Sequence, residues 1–122
     1  MKKLVRIDPK SGRYIDIDPK KLARDAKSLE AFVRKNIDPA NDSLGVYSEL
    51  LPLCKQVADQ RRNTAIPLED LPLRYPFREG LMPQGLAALY SEFSATITGT
   101  PLDVIHIVDV NGAPHAEVEF ED

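Results

Sequence analysis

Cysteine is nearly absent from the 122 residues: Cys54 stands alone, and one thiol excludes an internal disulfide framework. Long apolar runs are missing too, with no stretch of 18 or more such residues to cross a bilayer as a helix. The opening MKKLVRIDPK carries cations but no apolar segment behind them, so it does not read as a secretory signal. A cytoplasmic protein without membrane association is expected. Also missing are a Walker loop, a dinucleotide G-x-G-x-x-G, a G-x-S-x-G elbow and a C-x-x-C pair. On motif grounds no enzymatic activity and no cofactor are expected.

Cations of the C-terminal part are the most informative absence. After Arg78 there is no Lys or Arg, while Glu79, Glu92, Asp103, Asp109, Glu117, Glu119, Glu121 and Asp122 follow. Residues 1–36 carry eleven Lys/Arg against five Asp/Glu, a balance of +6, and residues 37–122 carry five against fourteen, a balance of −9. The overall charge of −3 hides this contrast. If the fold gathers these acids on one face, that face repels phosphate backbones and attracts basic surfaces; otherwise they simply keep the surface hydrated.

What is present fits one folded domain spanning residues 1–122. The composition is 43% hydrophobic and 29% charged with no low-complexity tract, and a chain of this length buries enough surface to fold without staples. LVRID and RYIDID alternate with period two around PKSG, which predicts paired strands over Leu4–Asp8 and Arg13–Ile17. Asp18 and Pro19 then open a helix with Leu22, Ala26, Leu29 and Val33 on one stripe. A second helix is expected from near Ser48, because Pro52 is tolerated only in a first turn. Its apolar stripe includes Cys54, which therefore reads as a buried structural thiol. A third runs from Pro83 to about Thr98, with Gly99 as its stop.

Asn111-Gly112 between two alternating runs is a strong hairpin signal. It pairs Val110 with Ala113, Val108 with His115, His106 with Glu117 and Val104 with Glu119. Ile105, Ile107, Ala116, Val118 and Phe120 then form a core face, and His106, His115, Glu117 and Glu119 share the other with Val104 and Val108. The expected fold is α+β: an N-terminal β-hairpin, three main α-helices and a C-terminal β-hairpin, the helices packed on an antiparallel sheet.

Two histidines and two carboxylates on one face raise a metal site, since His106 and His115 would be diagonal neighbours roughly 7 Å apart. No signature spacing supports it, and no metal is expected. The candidate nucleic-acid patch is the first helix, with Lys20, Lys21, Arg24, Lys27, Arg34 and Lys35, and with Lys2, Lys3, Arg6, Lys10 and Arg13 nearby in sequence. Tyr14 is the one aromatic of the adjoining hairpin, so the patch reads as a solvated helix face and no nucleic-acid partner is expected.

NTAIPLEDLPLRYPFREGLMP spends about twenty residues without clear periodicity, and connections that long are usually functional or flexible. This one is apolar enough to be pinned to the core by Leu68, Leu71, Leu73, Tyr75, Phe77 and Leu81, or to present some of them outward. Tyr75 and Phe77, bracketed by Arg74, Arg78 and Glu79, have the composition of an interface hot spot.

YSELLPLCKQVAD, IPLEDLPLRYPFREGLMPQGLAALYSEFSATITG and the closing EVEFED resemble, over about residues 47–122, small immunity proteins of bacterial contact-dependent growth inhibition and related polymorphic toxin systems. That resemblance implies a non-catalytic cytoplasmic protein that binds a cognate toxin domain, often a nuclease, and occludes its active site or substrate surface. It transfers no binding residues. From charge and aromaticity, Glu92, Asp109, Glu117 and Glu119 are the candidate charge contacts to a basic toxin, and Arg74, Tyr75 and Phe77 the candidate anchors. The alternative is a small cytoplasmic adaptor or ligand-binding regulator acting as a homodimer through open sheet edges.

Overall fold

The computed structural model describes residues 1–102 and 106–122 and has an α+β fold. Strand β1 (Lys2–Arg6) is followed by helices α1 (Pro19–Asn36), α2 (Leu51–Val57), α3 (Arg74–Arg78) and α4 (Gln84–Thr98), then strands β2 (Ile107–Val110) and β3 (Ala113–Glu119). The strands form one antiparallel sheet in the order β1-β3-β2.

Helix α1 begins where its capping residues put it. Asp18 Oδ1 accepts the N–H groups of Lys20 and Lys21 at 3.0 and 3.2 Å, and Pro19 occupies the first helical position. The helix runs through Ser28 unbroken, burying Leu22, Ala23, Ala26, Leu29 and Val33. It packs against both α2 and α4. Together these helices enclose the main core, in which Leu22, Leu29, Val33, Val46, Leu50, Leu86, Phe93 and Ile97 are fully buried.

The second helix starts differently from the expectation. Its entry is a wide π-turn over Val46–Leu50, and the α-helical part begins at Leu51. Pro52 explains the join: it lacks an N–H and its ring would collide with the carbonyl four residues back in a regular helix. Leu51 N–H instead reaches back five residues to the Val46 carbonyl, which leaves Pro52 in the first α-turn. Asp42 caps the π-turn, its two carboxylate oxygens accepting from Val46 and Tyr47 N–H at 2.8 and 2.7 Å. Cys54 lies buried on the inner stripe, and burial pushes its thiol up to about 12.

The N-terminal hairpin is where the expectation needs correction. Residues 8–13 do make a tight turn, with Asp8 N–H donating to the Arg13 carbonyl at 2.8 Å and an isolated bridge between Ile7 and Tyr14. The second arm forms no strand, because its backbone is shared among three neighbours. Ile15 N–H goes to Arg6, Tyr14 N–H to the Gly99 carbonyl, and Ile17 N–H to Asn63. Strand β1 pairs along its whole length with β3 instead, Lys2 opposite Glu119 through Arg6 opposite His115.

The sheet has its own small cluster: Val5, Ile7 and Ala116 are buried, with Tyr14, Val118 and Phe120 packed against them. Hydrogen bonds tie this unit to the helices. Tyr14 N–H donates to Gly99 O at 2.7 Å, and Asp18, while capping α1 with one oxygen, accepts Glu121 N–H on the other at 2.6 Å.

Candidate protein-interaction site

The long connection between α2 and α4 is divided between anchors and exposed side chains. Ile66, Leu71, Leu73 and Met82 are buried in the main core. Leu73 does this with a positive φ of 63°, a left-handed conformation that costs a branched residue about 1–2 kcal/mol. Burying its side chain is worth about 1.5–3 kcal/mol and offsets that strain. The left-handed step turns the chain into α3, and a second left-handed residue, Gly80 at φ 70°, ends it. Pro76 fits because α3 is hardly longer than the first turn in which proline is tolerated.

Helical spacing then sorts the α3 side chains. Phe77, four residues after Leu73, leans inward and its ring lies 4.9 Å from that of Tyr90 on α4, tilted by 43°. The Tyr90 hydroxyl fixes the loop from below by donating to the Pro72 carbonyl at 2.6 Å. Burial pushes that hydroxyl up to about 12, so it remains a donor throughout the physiological range. Tyr75 points outward and is 61% exposed, as is Leu81 at 56%. Arg74 and Arg78 flank them, with the Arg78 guanidinium 5.9 Å from the Tyr75 ring centre. The result is an exposed apolar knob with a charged border, in which Arg78 also meets the Glu79 carboxylate at 3.7 Å, held by buried residues on both sides.

The acidic candidates occupy another place. Asp109 caps the hairpin turn, its Oδ1 accepting Gly112 N–H at 2.7 Å, with Asn111 and Gly112 both at positive φ. Glu117 lies opposite Leu4 and Glu119 opposite Lys2, both exposed. The Met1 amino group donates to Glu119 at 2.6 Å. Glu92, on α4, receives Lys21 Nζ at 3.3 Å; Lys21 also binds Asp25 at 2.7 Å, and although burial opposes its charge, the two carboxylates raise its pKa. Glu121 pairs with Arg24.

These contacts correct the expected acidic face. Pairing with β1 brings Lys2, Leu4 and Arg6 onto the surface that carries His115, Glu117 and Glu119, so that surface is mixed in charge. Arg6 is itself committed to Asp16, its Nε and terminal nitrogen meeting the carboxylate at 3.1 and 2.7 Å. Ile107, expected in the core, is 63% exposed. The buried side of the sheet centres on Val5 and Ala116, and Ile107 is on the edge strand beyond them. Val108 faces His115 as expected, while His106 precedes β2. Val104 and Ile105 lie outside the described residues. Among the described residues no group of three metal-ligating side chains comes together.

The seven candidates therefore make two surfaces. Arg74, Tyr75 and Phe77 share α3, which contacts Tyr90 through Phe77, while the sheet attaches at Gly99, nine residues or about 13 Å further along the α4 axis. Glu92 lies between them in sequence and belongs with the sheet side through Lys21, which lines the same cleft as Glu117 and Glu119. That cleft, about 640 Å³, also includes Thr96, Leu102 and Phe120. Exposed Leu4 and Leu81 extend the two surfaces. Leu4 carried little signal because Leu4 and Val5 are both apolar, which hides the alternation.

Among the described residues no helix is long and apolar enough to cross a membrane. No protein-family model, curated protein or solved structure matches the chain.

Proposed function

We propose that this chain is an immunity-type inhibitor: a non-catalytic cytoplasmic protein that binds a cognate toxin domain and covers its active site or substrate surface. The observation that carries the reading is the α3 knob. An exposed tyrosine and leucine beside two arginines, on a turn fixed by buried Leu73 and Tyr90, favour docking into a partner pocket at little cost in ordering. Aromatic anchors of this kind dominate interface energies, and a single one contributes about 2 kcal/mol or more when it fills a pocket.

A basic nuclease is the toxin class that fits the charge. The fourteen acids against five cations beyond residue 36 favour a cationic partner, with Asp109, Glu117, Glu119 and Glu92 contributing to steering at the rim. Because Glu92 and Glu119 already have cationic neighbours, Asp109 and Glu117 carry more of that role.

Co-expression with the C-terminal domain of the protein encoded immediately upstream tests the reading. The expected result is rescue of growth and a co-purifying pair whose association slows at high salt. A harmless upstream product, or killing despite this protein, overturns it.

A further inference from the structure

The two edges of the sheet are finished differently, and the difference follows from where the backbone groups point. In an antiparallel pair, residues alternate between exchanging hydrogen bonds with the partner and directing both groups away from it. Ile7 N–H donates to the Pro114 carbonyl at 3.0 Å, so Pro114 directs its backbone toward β1. Asp109, opposite Pro114, and Ile107, opposite Ala116, consequently direct their N–H and C=O groups out of the sheet along β2.

The β1 edge is protected at its Arg6 end. Arg6, which points outward there, gives its N–H to Asp16 at 2.8 Å and its carbonyl to Ile15 N–H. Lys2, Lys3 and Arg6 also place three cations along a strand of five residues, which opposes self-pairing. The β2 edge has no lysine, no proline and no bulge, and it exposes Ile107 at 63% and Val108 at 44%.

We infer that the β2 edge pairs with the β2 edge of a second copy, antiparallel about a two-fold axis at Val108. Charge and hydrogen bonding select this register. Centring on Asp109 would set two carboxylates directly opposite, and centring on Ile107 would leave Asp109 without a partner inside the strand. Centring on Val108 pairs Ile107 with Asp109 of the second copy and Asp109 with its Ile107, so every outward backbone group of both residues is satisfied. Val108 then meets its own copy across the axis, in a pair without mutual hydrogen bonds and with Cα atoms about 4.5 Å apart. On the opposite face the two Ile107 side chains become diagonal neighbours. The contact area is small, so the association is weak and concentration-dependent. It uses the sheet edge and leaves α3 free, and it stands whether or not the chain neutralises a toxin.

A single cysteine placed on the axis tests it. Val108→Cys in the full chain is expected to oxidise to a covalent dimer of twice 13.6 kDa, because the pair meets disulfide geometry. Ile107→Cys, displaced from the axis, is expected to give about tenfold less. Native Cys54 is buried and does not compete. Both positions are exposed, so circular dichroism should show both variants folded. In parallel, Val108→Lys is expected to remove the rise in weight-average mass that the unmodified protein shows with concentration in sedimentation. Equal cross-linking at the two positions, or a mass that stays at 13.6 kDa up to millimolar protein, overturns the inference.

Discussion

Gly99 illustrates how one residue can be required twice. It ends α4 at φ 67°, its carbonyl accepts the Tyr14 N–H that joins the sheet to the helices, and a Cβ placed there would collide with the Tyr14 carbonyl oxygen. Gly112, at φ 84°, has open space around it. Alanine at Gly112 should cost only the left-handed penalty of about 1–2 kcal/mol. Gly99→Ala should cost clearly more, since backbone rather than a flexible side chain must move; urea denaturation of the two variants makes the comparison, and equal losses would contradict the tight joint. The Arg6–Asp16 pair makes a pH prediction. The Arg6 guanidinium, with the Arg6 N–H, holds the Asp16 carboxyl below its usual range despite partial burial. Its folded pKa is thus below the unfolded value of about 3.9. The stability it contributes is present above about pH 4 and is lost as pH falls through the lowered value. The stability gap between the wild type and Asp16→Asn should therefore narrow from pH 6 to pH 3 in denaturant titrations.

At the scale of elements, α3 is defined by what its side chains do not share. Tyr75 is 61% exposed, so Tyr75→Ala should leave the unfolding free energy within about 0.5 kcal/mol of wild type. Phe77 rests on Tyr90, and Phe77→Ala should cost about 1–2 kcal/mol through the lost ring pair and area. Thermal or urea unfolding separates the two; equal effects would mean that the turn is not held as described. Helices α1 and α4 were legible in advance because Asp18, Pro19 and Gly99 mark their ends and their buried stripes are periodic. The β2–β3 register followed from Asn111-Gly112 alone. Helix α3 was hidden, since five residues containing Pro76 fall below any periodic window. The partner of β1 was hidden for another reason: Lys2 pairs with Glu119 at the far end of the chain, and local alternation is silent about non-local pairing.

For the whole molecule, the contrast between a basic beginning and an acidic end is partly offset inside the fold. Lys21 reaches Glu92, Arg24 pairs with Glu121, and Lys2 lies opposite Glu119. The two ion pairs contribute about 0–1 kcal/mol each, so the main consequence of this mixing is that the sheet surface around Glu117 and Glu119 is not uniformly acidic. Aromatic anchoring at α3, with acids in a supporting role, becomes the central claim about function. The most direct measurement is the dissociation constant of the cognate toxin domain for the wild type and for Tyr75→Ala, with Glu117→Gln as a reference. Tyr75→Ala should weaken binding by about 30-fold at an unchanged unfolding midpoint, while Glu117→Gln should change mainly the salt-dependent association rate. Wild-type affinity in Tyr75→Ala would contradict the claim and place the binding surface elsewhere.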